Sequence, residues 1–331
     1  MKKFAVRSFL FLLIFYALNC VIGAALAIPK QRLMGNGRFS PQQRWTDFYA
    51  QPPDSIDLIF LGSSHAYRHF DPAIFDRELK LNSFNLGSPM QNPVTSFYVF
   101  KEVLLTQHPK IVVFEVFLNT FDLDDQFAYA MYNFEFMKSK KNKIDFLWNG
   151  YRKQDLIYFL LPSYSYRNNF FDLMRLILRQ EIPDEDYGDV YKSKGYVENK
   201  QIAKEKELIK NNIFRLHPFS INKVNSNNIR HLNQFVEMCR LKGIKMILVT
   251  SPLPDTSLSF IDDYPSMHRY VQNLASRYNL EYIDYVQMQI DDEADIFQEK
   301  DFLDSHHLNN AGVQKFDLDF AKRMKPSLID R

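Results

Sequence analysis

Cysteine is nearly missing from this chain of 331 residues, which has only Cys20 and Cys239. Cys20 lies in an apolar N-terminal run, so Cys239 stands alone in the rest, and neither a disulfide framework nor a cysteine-rich zinc site can be built. Glycine is scarce at 10 residues, and neither GxGxxG nor GxxxxGK[ST] occurs. The chain therefore lacks the loops that cradle nucleotide phosphates, and no cofactor is expected. Charge of one sign is missing as well. With 41 Lys+Arg against 39 Asp+Glu the formal balance is +2, which gives no electrostatic ground for a nucleic-acid partner. What the chain does have is 46% hydrophobic residues, including 30 Phe and 18 Tyr, with 24% charged. That is a globular composition with a large aromatic core.

The longest apolar run sits at the N-terminus. Lys2, Lys3 and Arg7 precede an uncharged stretch at residues 8–28, which as a helix would cover roughly 30 Å of hydrocarbon. Basic residues in front of such a segment stay cytoplasmic, so the chain beyond Lys30 is expected outside the cytoplasm, in the periplasm or at the cell surface. Two readings remain open. A single-pass anchor fits the length, while Ala25-Leu26-Ala27 fits the small-residue cleavage site of a secreted protein. Residues 1–30 are thus an anchor or signal segment. The polar, Gly- and Pro-containing residues 31–54 read as a linker, and residues 55–331 as one domain.

Within that domain, short apolar runs at residues 57–62, 83–86, 111–117, 244–250 and 280–284 have the character of buried parallel strands. Helical patterns lie between and after them: one opening at Pro72 with Asp71 as its cap, then 95–106, 229–242, 264–278 and 310–324. Alternating strand and helix predicts an α/β fold, a three-layer α/β/α sandwich on a parallel sheet. Residues 122–219 break the rhythm as an aromatic, partly helical insertion with a basic cluster at 138–143. A helical cap packed on the sheet is the plain reading; a lid, a docking surface or a membrane-facing patch are the others.

Ligands of open parallel sheets bind beyond the carboxyl ends of the strands. There the sequence places Gly62-Ser63-Ser64-His65, Asn85-Leu86-Gly87, Asn119, and a loop that runs from Asp301 through Asp304-Ser305-His306-His307 to Asn309. A serine hydroxyl is a weak nucleophile until a base takes its proton. His307 can be that base, with Asp304 three residues earlier orienting the ring; His306 has no acid at that spacing. The Ser64 and Gly87 N–H groups and the Asn119 amide are candidate oxyanion donors. His65, His69 and His306 invite a metal reading, but no acidic or thiolate partner can be placed beside them. Hydrogen-bonded histidines and no metal are the expectation.

Gly62-Ser63-Ser64, Gly87, Asn119 and Asp304-Ser305-His306-His307 fall in the order of the four sequence blocks of the SGNH (GDSL-like) esterase and acyltransferase superfamily, which this chain resembles from about residue 57 to 319. Ser63 stands where the common motif has Asp, and Phe117-Leu118-Asn119-Thr120 keeps only the Asn of Gly-x-Asn-Asp. The Ser-Ser form is similar to membrane-anchored members such as D-alanyl-lipoteichoic acid transfer and alginate O-acetylation proteins. The resemblance implies a flavodoxin-like fold, Ser64 as nucleophile, His307 as base, Asp304 as its partner, and Gly87 and Asn119 as oxyanion donors. It also implies an extracytoplasmic O-acyltransferase or O-acylesterase for an envelope glycan or glycolipid, working with a membrane-bound acyltransferase partner.

Two alternatives stand beside that reading. Gly62-Ser63-Ser64-His65-Ala66 nearly matches the α/β-hydrolase elbow, yet here the serine follows the first strand, and Asp and His share one loop. A non-catalytic scaffold of the same fold in a polysaccharide assembly complex is the reading from a different functional class.

Overall fold

The computed structural model describes residues 2–34, 40–122, 127–151, 157, 161, 163–164, 170–178, 188–210, 212–219, 221–261, 263–292 and 296–326. For residues 27–34, 170, 172–173, 176 and 205–207 only the backbone is considered.

Five strands form one parallel sheet: β1 (Leu58–Leu61), β2 (Ser83–Asn85), β3 (Ile111–Glu115), β6 (Lys245–Thr250) and β7 (Glu281–Asp284). Their order is β2-β1-β3-β6-β7, with Leu58 beside both Ser83 and Ile111, and Ile247 beside Glu281. A separate antiparallel hairpin pairs β4 (Asp189–Tyr191) with β5 (Val197–Asn199). The expected strands are all present, each ending within two residues of its apolar run.

The period-2 alternation of a strand explains the layers. Ile59, Leu61, Val112 and Phe114 point into one core, packed under the helices Pro93–Val103, Ser226–Leu241 and Tyr264–Tyr278. Leu58, Phe60, Ile111 and Val113 point into the other, under Pro72–Leu79 and Asn310–Met324, where Phe70, Phe75, Phe316 and Phe320 meet ring to ring. The sheet is thus buried on both faces, as parallel sheets are. Local chemistry sets the helix starts: Asp71 and Asn92 each cap a helix whose first residue is proline.

The segment before the domain departs from the expected linker. Residues 35–39 lie outside the described residues, but Pro41–Tyr49 is a helix capped by Ser40, with Arg44, Trp45 and Phe48 buried. Gly35 and Gly37 suggest an open linker, whereas Pro41 starts the helix and the one-sided spacing of Arg44, Trp45 and Phe48 is that of an amphipathic helix docked on a core. Further upstream, Lys2–Met34 is a single helix, and its portion Lys2–Leu26 is long and apolar enough to cross a membrane. Of the expected insertion, residues 123–126, 152–156, 158–160, 162, 165–169, 179–187 and 211 lie outside the described residues, and Phe170–Ile177 is a helix. Cys239 is a buried thiol pushed up to about 12 by desolvation.

If Pro41–Tyr49 belongs to the folded domain, Trp45→Ala should cost about 3–5 kcal/mol of stability. The check is the denaturant midpoint of the full chain in detergent at unchanged slope. A cost near zero would mean that the helix is an ornament rather than part of the core.

Candidate active site

The strand order reverses between β1 and β3, and the carboxyl ends of those two strands meet there. The chain leaves β1 through Gly62, at φ +142°, where an added Cβ would lie 2.6 Å from the Cβ of Glu115. Only glycine allows so close an approach between the two strand ends. Ser63 comes next and is gripped by the Glu115 carboxylate, which accepts its N–H and its O–H at 2.8 Å each. The Ser63 hydroxyl oxygen in turn accepts the His65 N–H, capping the short helix Ser64–His69. Ser64 is therefore placed at the first residue of a helix, on a turn fixed from beneath by a buried acid.

At the other end of the domain, Asn309 caps the helix Asn310–Met324 and fixes the loop before it. The Asp304 side chain accepts the N–H groups of His306 and His307 at 2.9 Å and faces His307 Nδ1 at 2.8 Å. An ionised carboxylate only accepts, so Nδ1 carries the proton and Nε2 is left with its lone pair. That Nε2 lies 2.8 Å from Ser64 Oγ, although the residues are 243 positions apart. The structure thus brings Ser64, His307 and Asp304 into one hydrogen-bonded line. His306 lies beside this line: its ring stacks on Phe117, and its Nδ1 touches Ser305 Oγ and lies 3.3 Å from Asp304 Oδ1.

Burial lowers the His307 imidazole below its ordinary value, and the charge and hydrogen bond of Asp304 restore only part. Burial pushes Asp304 upward, but the neighbouring His307 and His306 outweigh it and hold the carboxyl well below its usual range. The ring is a neutral acceptor and the acid an anion, the states that proton abstraction requires.

The oxyanion donors differ from the expected set. Gly87 N–H is given to Asn85 Oδ1 at 3.0 Å, so it is not a free donor. The Asn85 amide meanwhile donates to the carbonyls of Ala66 and Phe70, which makes Asn85 a tie between β2 and the helix carrying Ser64. Gly87 is needed for space, since a Cβ there would meet Ala66 Cβ at 2.6 Å. Its carbonyl accepts from the buried Arg44, which desolvation lowers to about 9 and which therefore stays charged at neutral pH. Asn119 donates one amide hydrogen to His217 O at 3.0 Å and has a second to give. Together with Ser64 N–H, one of the donors that the first turn of a helix leaves over, it is the available donor set. Beside Asn119 and His65 opens an apolar cavity of about 260 Å³ walled by Phe117, Phe214, Leu253 and Phe260.

Several residues of the site take parts that their sequence positions did not show. Glu115 was visible only as an acid inside an apolar strand. His69 accepts the Leu308 N–H at 2.9 Å and so holds the His307 loop against the Ser64 helix. Arg68 is joined to Asp189 by two contacts of 2.6 Å, tying the hairpin to that same helix. Asp301, where the loop begins, is buried and bonded to Lys315 Nζ.

No curated protein matches the chain in sequence. A protein-family model matches residues 160–329, a span that holds the Asp304–His307 loop. Among solved structures the chain is similar to a protein named as an acylhydrolase from Bacteroides fragilis NCTC 9343, at 12% identity and TM-score 0.41, over 87% of this chain and 95% of that one. It is also similar to a G-D-S-L family lipolytic protein from Desulfitobacterium hafniense DCB-2, at 10% identity and TM-score 0.40, over 80% and 98%. A third is a GDSL-like lipase from Bacteroides thetaiotaomicron VPI-5482, at 10% identity and TM-score 0.39, over 87% and 98%.

Two outcomes are expected. Labelling of Ser64 by a fluorophosphonate needs neutral His307, and a lowered imidazole stays neutral to more acid pH. The labelling rate should hold as pH falls to about 6.5 and reach its midpoint only at lower pH; a midpoint at or above that value would contradict the burial argument. Asn119→Ala should cost on the order of 10²–10³ in turnover of an activated ester. A loss under tenfold would leave Ser64 N–H as the working donor.

Proposed function

We propose that the chain, a member of the family whose model spans residues 160–329, is an SGNH-type serine enzyme that moves an acyl group outside the cytoplasm. The observation that carries the reading is the line from Asp304 through His307 to Ser64, with both contacts at 2.8 Å. Ser64 Oγ attacks the ester carbonyl as its proton passes to His307 Nε2. The oxyanion that forms is met by Ser64 N–H and the Asn119 amide. Collapse expels the alcohol oxygen, which takes the proton from His307 and leaves an acyl-enzyme. A second hydroxyl then repeats the steps in reverse, giving acid if it belongs to water and a new ester if it belongs to a sugar or polyol.

The envelope setting and the transfer chemistry are supported by two features of the fold. The helix at Lys2–Leu26 has the length and apolarity of an anchor and carries basic residues at its start, which orients the domain outward. The cavity beside Asn119 is walled in part by Phe214, Pro218 and Phe219, which come from the insertion. An apolar wall over an acyl-enzyme lowers the access of water and favours a bound acceptor. An envelope glycan or glycolipid is the acceptor that this reading names, with a membrane-bound acyltransferase as the source of the acyl group.

The test compares free acid with acylated glycan when the full chain in detergent is given an activated acyl ester, with and without glycan acceptors. Diversion of acyl groups to the sugar, abolished in Ser64→Ala, is the expected result. Rapid acid release that acceptors leave unchanged would point to a plain esterase, and equal turnover by Ser64→Ala would remove the serine mechanism altogether.

A further inference from the structure

Four of the eight histidines of the chain crowd around Ser64, more imidazole than one proton relay uses. One ring nitrogen from each of His65, His306 and His307 lies within 4.8 Å of the others. His65 is 2% exposed, and its Nε2 is buried without a hydrogen-bond partner. An orphaned polar atom in the interior is unfavourable unless something binds there.

The outer contacts of these rings are those of metal ligands. His65 Nδ1 lies 3.3 Å from Glu115 Oε1, and His307 Nδ1 lies 2.8 Å from Asp304 Oδ2. A carboxylate on Nδ1 fixes the tautomer, leaves Nε2 as the donor atom and makes it more basic. The sequence offered Asp304 for His307 but no acidic partner for His65; the fold supplies that one, Glu115, from the end of β3. The charge of the two carboxylates also offsets that of a divalent cation. Arg68, the nearby base, is already engaged by Asp189.

We propose that His65, His306 and His307 bind one divalent ion of the zinc class, and that the ion, by occupying His307, holds Ser64 inactive. Neutral imidazole suits zinc, copper and nickel, and excludes magnesium and calcium, which take oxygen ligands. Zinc–nitrogen bonds of about 2.0–2.1 Å bring tetrahedral donors to roughly 3.4 Å from one another. His306 can close that gap, because its side chain is 15% exposed and sits on a loop. Ser64 Oγ, 2.8 Å from His307 Nε2, now faces the lone pair that the ion would take and would have to turn aside from it. Coordination takes up the Nε2 lone pair that would otherwise receive the serine proton, so the hydroxyl keeps its proton and cannot attack. The metal site stands on geometry alone; the inhibition rests on the serine reading above.

The experiment titrates the full chain in detergent with Co²⁺, whose tetrahedral imidazole complexes absorb in the visible, then displaces it with Zn²⁺. One ion per chain with a visible band is expected, retained in Ser64→Ala. His65→Gln and the more exposed His306→Gln should each weaken Zn²⁺ at least about tenfold. Saturating Zn²⁺ should suppress fluorophosphonate labelling of Ser64 at least tenfold, with recovery on adding a chelator. Absence of the band from the wild type, or unchanged Zn²⁺ affinity in His306→Gln, overturns the metal site. Labelling that continues with zinc bound overturns the inhibition. A band without any labelling of the metal-free chain overturns the serine reading and leaves the metal site standing.

Discussion

The contact between His307 Nε2 and Ser64 Oγ is the constraint around which the domain is arranged. It joins the turn after β1 to the loop before the last helix, across 243 positions of sequence. Neither partner could hold it alone, since a serine on a free turn and a histidine on a free loop would spend little time at 2.8 Å. Each is therefore fixed twice. Glu115 grips the Ser63 turn from below, and Asp304 closes its loop on two backbone N–H groups as well as on the ring. His69 then bonds the two pieces directly through Leu308 N–H. A site so supported is ordered before any substrate arrives, which is the condition for electrostatic stabilisation of an oxyanion.

Supporting contacts reach well beyond the sheet. Arg44, from the helix that precedes β1, binds the carbonyl of Gly87 and the side chain of Asn133 at 2.7 Å. The loop after β2 is thereby held between the domain's first helix and the start of the insertion. The hairpin takes part as well, through Arg68 and Asp189. Segments that look peripheral in sequence thus press on the nucleophile helix from both sides, and changes there should be felt at Ser64.

Crowding imidazoles into a buried site sets an electrostatic condition. Burial lowers His69, His306 and His307, and neighbouring positive groups, other imidazoles among them, lower each further. At neutral pH these three rings are neutral. That state suits proton abstraction by His307, and it equally suits a cation of nitrogen preference. On the proposed function, the residues that would activate the serine are therefore also those that would make the site sensitive to such an ion.

The sequence by itself determined the parallel α/β architecture, because apolar runs ended by glycine or a polar residue alternate with capped amphipathic helices. Tyr264–Tyr278 and Asn310–Met324 even end where the pattern ends. It also determined the pairing of Asp304 with His307, since a three-residue spacing closes on itself within one turn of chain. What only the tertiary structure decided are the contacts between distant segments. Gly87 N–H turns to Asn85, Glu115 reaches under Ser63, Arg44 belongs to the core, and His65 finds a carboxylate. Each depends on the approach of strands and loops far apart in sequence. Local periodicity says which face of an element is buried, but not which side chain of another element it will meet.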